Sequence, residues 1–255
     1  MIARLRDLAV YYSPIGLLVI VWDLLLRSGL VSAELMPSPA AALESFRSLA
    51  ASGELAQHSL VSFYRESVGL LASVVIGTVL GIGMARIEWL RLLFRPVVMF
   101  LYPMPKSALI PVLLLWFGIG DMSKIAAIFL GCLLPVVTSA FNGARGVEPQ
   151  LVWSARSLGT SRAGVLWKVV LMAALPDILS GVRIALALSW LLLVSAELLI
   201  SRNGLGYLIS FYGENADYGA MFAAVIVVVL IGFFSDRVFL AVSRWLLRWR
   251  DLPSA

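Results

Sequence analysis

The chain has 255 residues, of which 61% are hydrophobic and 14% are charged, with a net charge of +5. An average soluble domain is about 25% charged, and a soluble fold of this size cannot hide so much apolar surface from water. The composition therefore excludes a soluble enzyme and a disordered protein, and it indicates a chain whose main solvent is lipid. The single His and single Cys do not suffice for a typical zinc site or for a disulfide within the chain.

Six stretches are long and apolar enough to cross a bilayer as helices, for which about 20 residues are needed. The sequence therefore predicts an all-α membrane protein in one domain, residues 1–255, with six transmembrane helices. The first is too long for a signal peptide and carries Asp23 and Arg27, which are four residues apart and are expected to pair. The predicted spans are residues 12–31, 66–85, 94–117, 124–142, 178–200 and 219–241.

Positive charges are unevenly distributed among the connections between these spans. Twelve of the 20 Lys and Arg residues lie in the N-terminal tail, the second and fourth connections and the C-terminal tail, whereas four lie in the other connections. By the positive-inside rule, both termini are expected in the cytoplasm. The first outer connection, about 32–62, is expected to hold a short helix on the membrane face or against the bundle.

The second span carries Gly77 and Gly81, whose small-x-x-x-small spacing permits close approach of another helix. We interpret this pair as packing within the chain rather than as a dimer motif.

The third span is interrupted by residues that disturb a helix. Each proline removes a backbone donor, and a broken helix is tolerated at membrane depth only where protein or a water-lined cavity satisfies the freed groups. The segment is therefore a candidate wall or gate of a translocation pathway, and a packing kink is the alternative. Lys106 is a candidate contact for an anion, although it could equally snorkel or pair with a carboxylate. The candidate residues are Pro103, Met104, Pro105, Lys106 and Pro111.

The fourth connection, about 143–177, has helical signals rather than turn signals. Pro149 suits the first position of a helix, and Gly159 suits the residue just beyond its end. A second short helix is expected after Thr160 and is expected to end near Pro176.

The first of these short helices is predicted to be amphipathic. Leu151, Ala155 and Leu158 share one apolar stripe with Val152 at its edge, and Trp153 lies near the centre of the opposite, polar side. The helix either rests on lipid headgroups or docks a cytoplasmic partner, and the exposed Trp favours docking because Trp is enriched at interface hot spots.

Residues 147–176 resemble the EAA loop of ABC importer permeases, the cytoplasmic segment whose short helix docks on the ATPase subunit. The register of that loop is kept by Ala155, Gly159, Leu175 and Pro176. The sequence departs from the pattern in that the motif's Glu is Trp153 and its first Ala is Ser154, and Met172 stands where a Pro is usual.

Further segments resemble the permeases of nitrate, taurine and alkanesulfonate importers, and the matches run from about residue 36 to 215. They are Ser107-Ala108-Leu109-Ile110-Pro111, Leu115 to Gly120, Ser123-Lys124-Ile125, Ala196 to Leu199 and Asn203 to Ile209.

This resemblance implies the type I ABC importer permease fold and a multi-pass position in the bacterial inner membrane. It implies a transport subunit, not itself an enzyme, for a small anionic solute of the sulfonate, taurine or nitrate type. The implied partners are membrane lipid, a second permease copy in a homodimer, two cytoplasmic ATPases and a periplasmic or lipid-anchored binding protein, with no nucleic acid. The residues implied to couple to the ATPase are Trp153, Ser154, Ala155, Arg156, Ser157, Leu158 and Gly159.

No Gly-x-x-x-x-Gly-Lys-Ser/Thr sequence occurs, so ATP and Mg are expected on the partner ATPase and no cofactor is expected in this chain. One alternative is a secondary transporter or channel that ATP does not drive, for which inverted repeats or intramembrane acid pairs would be expected. A membrane enzyme is a second alternative, and the composition denies it most of the side chains that it would need.

Two residues of the fifth span are further candidates for the pathway. Glu197 would repel an anion, so we favour a structural role, by pairing with Arg183, Arg202 or Lys106 or by capping the turn that begins at Asn203. Trp190 either lines the cavity or packs against lipid or the core.

Overall fold

The computed structural model describes residues 2–32 and 34–249, and of residues 2–12 and 15 only the backbone. Within these residues the fold is helical throughout, without a strand. The helices are α1 (Ile2–Arg27), α2 (Pro39–Ala51), α3 (Glu54–Arg86), α4 (Glu88–Leu101), α5 (Ile110–Phe117), α6 (Asp121–Arg145), α7 (Pro149–Ser157), α8 (Arg162–Val165), α9 (Leu171–Leu199), α10 (Leu205–Glu214) and α11 (Tyr218–Leu246), with a 3-10 helix at Lys106–Leu109 and a π-helical turn at Leu166–Val170.

Four helices in the described residues are long and apolar enough to cross a membrane: α3, α6, α11 and the continuous stretch Arg162–Leu199, which contains α9. A fifth span results if α4 and the segment Lys106–Phe117, which are bent by 95° relative to each other, are counted as one. The first predicted span, 12–31, includes side chains outside the described residues, so a total of six stays a prediction.

The third predicted span, 94–117, is not one continuous helix. The first half ends at Leu101, and Pro103 and Pro105 lie in the turn that follows. Pro111 lies in the first turn of α5, where its missing N–H would have had no helical partner in any case. The prolines therefore act here as helix starts and stops rather than as kinks within a helix.

The fourth connection contains α7 over nearly the predicted range, but the predicted end of the second helix near Pro176 is wrong. That helix passes from α8 through the π-helical turn into α9 and continues through Pro176 to Leu199. Ala174 and Ile178 on either side of the proline are buried in the core. Packing against neighbouring helices thus offsets the hydrogen bond that Pro176 cannot make.

The chain divides into two compact units, and the larger comprises residues 61–201 and 230–255. Its core lies between α6 and α9, with the second half of α3 packed on α6. The buried core residues include Ile128, Cys132, Val136 and Ala140 of α6 and Ile178, Ala185 and Leu193 of α9.

The glycines of α3 allow its close approach to α6. A Cβ added at Gly77 would lie 2.9 Å from the Val136 side chain, and one at Gly81 would lie 2.5 Å from the Val137 carbonyl oxygen. The small-residue spacing therefore serves packing within the chain, as predicted.

The smaller unit comprises residues 1–60 and 202–229. In it the indole N–H of Trp22 donates to the carbonyl of Pro37 at 3.1 Å, and the Trp22 ring packs on Phe222 with centroids 5.5 Å apart. Asp23 accepts from Arg27 at 2.7 Å, which confirms the predicted pair. Ser38 caps α2 by accepting the Ala41 N–H, and α2 is the short helix expected in the first outer connection.

We predict that Gly81→Ala destabilises the protein whereas Gly83→Ala does not. The added methyl group at position 81 meets backbone, and overpacking of this kind costs about 1–3 kcal/mol. At position 83 the nearest atom is the end of the Leu90 side chain, 3.1 Å away, which is free to rotate. The measurement is the thermal unfolding midpoint of both variants in the same detergent. Equal midpoints would contradict the close α3–α6 contact.

Candidate functional site

Helix α7 is ended by a specific backbone motif. The Thr160 N–H donates to the Ala155 carbonyl at 3.0 Å, and the Gly159 N–H donates to the Arg156 carbonyl at 2.9 Å. These two bonds form a Schellman motif, which requires a left-handed residue just after the helix. Gly159 supplies it with φ +80°. The sequence predicted this glycine position correctly, and the geometry holds α7 as a discrete nine-residue helix.

The buried face of α7 agrees with only part of the predicted stripe. Val152 and Ala155 are half-buried and pack on the core of the larger unit. Leu151 and Leu158, expected on that stripe, are exposed instead, Leu158 by 85%. Leu158 follows the last helical residue, where the backbone turns away under the Schellman motif. The helix therefore rests on the core through its smaller apolar side chains.

The outer face of α7 is solvent-accessible and partly apolar. The Trp153 side chain is 66% exposed, and Arg156 is exposed as well. A shallow, open depression runs along this face. It is lined by Gln150, Trp153, Ser154, Ser157 and Leu158. Of the seven residues predicted to couple, only Ala155 points largely inward. An exposed Trp beside a depression has the properties of an interface anchor.

The predicted gate residues lie around the break between α4 and α5. Pro103 and Pro105 are exposed, Met104 is half-buried, and Pro111 is exposed at the start of α5. The Lys106 ammonium donates to the Tyr102 carbonyl, which the broken helix leaves without its usual partner, and lies 5.7 Å from the Tyr102 ring centroid.

A cavity of about 140 Å³ lies beside Lys106. It is bounded by Gly131 of α6 and by Leu188, Leu191 and Leu192 of α9. Among the described residues, Lys106 is therefore the one charged residue in the lining of a small, largely apolar space between two long helices.

Glu197 is held in a buried cluster of charges rather than at the cavity. Its Oε1 accepts from the Arg65 guanidinium at 2.7 Å, and both carboxylate oxygens accept from the Ser62 hydroxyl. Arg65 also donates to Asp121 at 2.6 Å, at the start of α6. The Arg65 and Glu197 side chains are almost fully buried. The cluster ties α3, α6 and α9 together.

Lys124 is also fully buried, and its ammonium donates to the Ile119 carbonyl. The bond holds the loop that connects α5 to α6, and the Ser123 hydroxyl donates to the Gly120 carbonyl in the same loop at 2.9 Å.

The structure gives Glu197 a cationic partner, Arg65, that the sequence did not propose. Arg183 instead donates to Asp236 of α11 at 2.8 Å, and Lys106 bonds Tyr102. Arg65 directly precedes the predicted second span, 66–85, and lies inside α3. Trp190 is 7% exposed and belongs to the core of the larger unit.

A second buried carboxylate was not singled out from the sequence. Glu66, next to Arg65 on α3, accepts from the Ser189 hydroxyl of α9 at 2.7 Å. The sequence did contain a signal for Glu66, which is an acidic residue at the start of an apolar span. A carboxylate buried there needs hydrogen-bond partners on a neighbouring helix.

In the smaller unit, His58 contacts the turn that begins at Asn203. Its Nδ1 accepts the backbone N–H of Gly204 at 2.9 Å, and its ring stacks on Tyr207. Nearby, the Tyr212 hydroxyl donates to Glu54 at 3.0 Å. The pKa of Tyr212 is raised to about 12, chiefly by burial and secondly by this bond to the carboxylate. Among the described residues, no group of three His, Cys, Asp or Glu side chains is placed to hold a metal ion.

Residues 73–248 match the family described as binding-protein-dependent transport system inner membrane component. The chain is 34% identical over 249 residues to the taurine transport system permease protein TauC of Escherichia coli (strain K12), with 96% of this chain and 90% of that protein covered. It is 36% identical over 236 residues to a Bacillus subtilis (strain 168) protein named as an aliphatic sulfonates transport permease, SsuC, with 92% and 86% covered.

The fold is similar to those of solved transporters of low sequence identity. An inward-facing structure of the MetNI methionine ABC transporter matches with a TM-score of 0.59 at 18% identity, over 73% of this chain and 93% of that chain. An amino acid ABC transporter solved with histidines matches with a TM-score of 0.61 at 15% identity, over 80% and 97%.

We predict that Glu197→Leu is strongly destabilising and that adding Arg65→Met restores much of the loss. The single change leaves a guanidinium buried without its inner partner, which costs about 3–5 kcal/mol, whereas an apolar replacement of both charges is often neutral. Unfolding midpoints of the two single variants and the double variant form the test. Additive losses in the double variant would show that the two side chains do not act as a pair.

Proposed function

Because this chain belongs to the family of binding-protein-dependent transport system inner membrane components, we propose that it is the permease subunit of an importer for small organic sulfonates. It is a multi-pass protein of the inner membrane with the type I ABC importer permease fold. Permeases of this family work with an ATPase and with a substrate-binding protein. The substrate class, the copy number and the contact residues are the parts that we propose here.

The observation that carries the proposal is the build of α7. It is a capped helix that rests on the α6–α9 core through Val152 and Ala155 and presents Trp153 outward. A segment that is rigid on one side and exposed on the other suits transmission of force from a partner. We propose that the ATPase binds this outer face, and that ATP and Mg are bound by that partner.

The proposed substrate class rests on the relatives and on Lys106. TauC is named for taurine transport and SsuC for aliphatic sulfonates, and both ligands carry a sulfonate anion on a short carbon chain. In this chain Lys106 is, among the described residues, the one charged residue that lines a small, largely apolar cavity. A charge-assisted hydrogen bond to the sulfonate, with the carbon chain against the leucines, would use both features.

We propose that two copies form the pathway. The cavity beside Lys106 measures about 140 Å³, whereas sites for small ligands are usually about 300–1,000 Å³. A second copy facing the break would enlarge this space. Closure of two ATPases would then draw the α7 helices together and open the pathway outward, and hydrolysis would reset it inward.

We predict that Trp153→Ala weakens capture of the co-expressed ATPase by the purified permease. Truncation of an aromatic anchor at an interface costs about 2 kcal/mol or more, which corresponds to at least a ~30-fold loss of affinity. The measurement is pull-down at graded ATPase concentrations, with ATP hydrolysis by the complex as a second readout.

The matched control is Trp167→Ala, since Trp167 is similarly exposed and lies in the same connection but outside α7. Unchanged capture by the Trp153 variant, or equal loss in both variants, would contradict docking on the outer face of α7.

We predict that Lys106→Gln raises the KM for taurine uptake by about 10–100-fold, because a hydrogen bond to a charged group contributes about 1.5–3 kcal/mol. The Gln amide keeps a donor for the Tyr102 carbonyl but has no charge. The measurement is uptake by the reconstituted importer in vesicles, with Lys106→Arg as the charge-conserving control. An unchanged KM in the Gln variant would reject contact with the anion.

A further inference from the structure

A second positively charged cavity lies in the larger unit, at the end of the helices opposite to Asp121 and Glu197. It measures about 500 Å³ and is formed by the end of α3, by α4 and by the last turns of α6. Three arginines line it: Arg91 and Arg95, which are four residues apart on α4, and Arg145 at the end of α6. By the distribution of Lys and Arg this is the cytoplasmic end. We refer to it below as the arginine groove.

The charge of the arginine groove is weakly compensated. None of its lining residues is an Asp or Glu. Arg91 donates to Glu88 at 3.0 Å on the exposed rim, and such surface pairs contribute little. Arg145 lies over the Phe141 ring at 5.9 Å from its centroid. Within the described part of the chain, Arg95 has no ion pair. At least two guanidinium groups are therefore available to an anion.

Neutral polar groups of α6 also line the groove. The Thr138 hydroxyl is buried and has no hydrogen-bond partner among the described residues. Asn142, one turn further along α6, is a second lining residue and carries an amide that can donate. Asn142 therefore adds a neutral hydrogen-bond donor to the wall of the groove.

Apolar side chains complete the lining and give the groove two kinds of surface. Met84, Leu92 and Met99 are among them, so that the arginines border a hydrophobic space. A planar guanidinium matches a tetrahedral oxyanion by donating two parallel hydrogen bonds. The groove thus suits an amphiphile, with its anionic head at the arginines and its carbon chain against the methionines and leucine.

We propose that the arginine groove binds a tetrahedral oxyanion, sulfonate or phosphate, that is carried on an apolar group. Two sources have this chemistry: a free organic sulfonate at the cytoplasmic end of the permease, and an anionic phospholipid whose headgroup enters from the inner leaflet. The site is separate from the Lys106 cavity, which neither shares its lining residues nor lies at the same helix ends.

The test uses the full chain and two probes. In one arm, 1-hexanesulfonate is titrated by calorimetry into the permease in nanodiscs of phosphatidylcholine alone. In the other, the permease is extracted from membranes that contain phosphatidylglycerol, and the lipid molecules that it retains are counted by mass spectrometry. Binding in the first arm identifies a free sulfonate, and retention in the second identifies a lipid.

The variant is the double change Arg95→Gln with Arg145→Gln, and the matched control is Arg162→Gln with Arg248→Gln. The control removes two exposed arginines of the same predicted membrane side outside the groove. We expect the groove variant to lose at least ~10-fold in affinity or most of the retained lipid, and the control to lose neither. Thermal unfolding of both variants establishes that they fold.

Absence of binding in both arms would overturn the proposal. Equal loss in the control would also overturn it, because that result would indicate attraction by net charge alone. Loss confined to the groove variant supports it. Both arms measure binding without transport, so their failure would leave the proposed importer function unaffected.

Discussion

The buried pair of Arg65 and Glu197 is the interaction on which the arrangement of the larger unit depends. In lipid, apolar side chains give helices little reason to associate, so close packing and polar contacts between helices must hold them. The pair joins α3 to α9 at 2.7 Å, and the bond from Arg65 to Asp121 adds α6. The glycines of α3, among them Gly77, allow the close approach that brings these charges within reach.

The break after α4 is possible because other groups satisfy the backbone there. Proline prevents α4 from continuing, and the Tyr102 carbonyl is left to accept from Lys106. The same contact explains why a lysine is stable at this position: the broken backbone supplies an acceptor, and the Tyr102 ring supplies a favourable face. The segment that follows the break, Lys106 and Ser107, in turn lines the small cavity against α6 and α9.

The sequence predicted the helical membrane fold, the position of α7 and its cap at Gly159, because hydrophobic length and glycine placement are local signals. It did not predict the partner of Glu197, since Arg65 is 132 residues away and only packing brings the two together. The continuation of α9 through Pro176 was missed for the same reason, as burial of its neighbours outweighs a local breaker. The buried stripe of α7 was misjudged because periodicity counts Leu158 as helical, although the backbone has already turned there.

Helix α9 connects the proposed docking surface with the proposed substrate cavity. Its 29 residues correspond to a rod about 43 Å long, with Ala174 in the core on which α7 rests, Leu188 and Leu192 beside Lys106, and Glu197 at the far end. Because α6 and α9 pack closely along their length, a force applied to the outer face of α7 acts on a rigid pair rather than on a loop. Closely packed interiors shift between discrete arrangements instead of deforming continuously. Under the proposed function, movement of α7 would therefore act on α6 and α9 together, and both helices contribute to the wall of the Lys106 cavity.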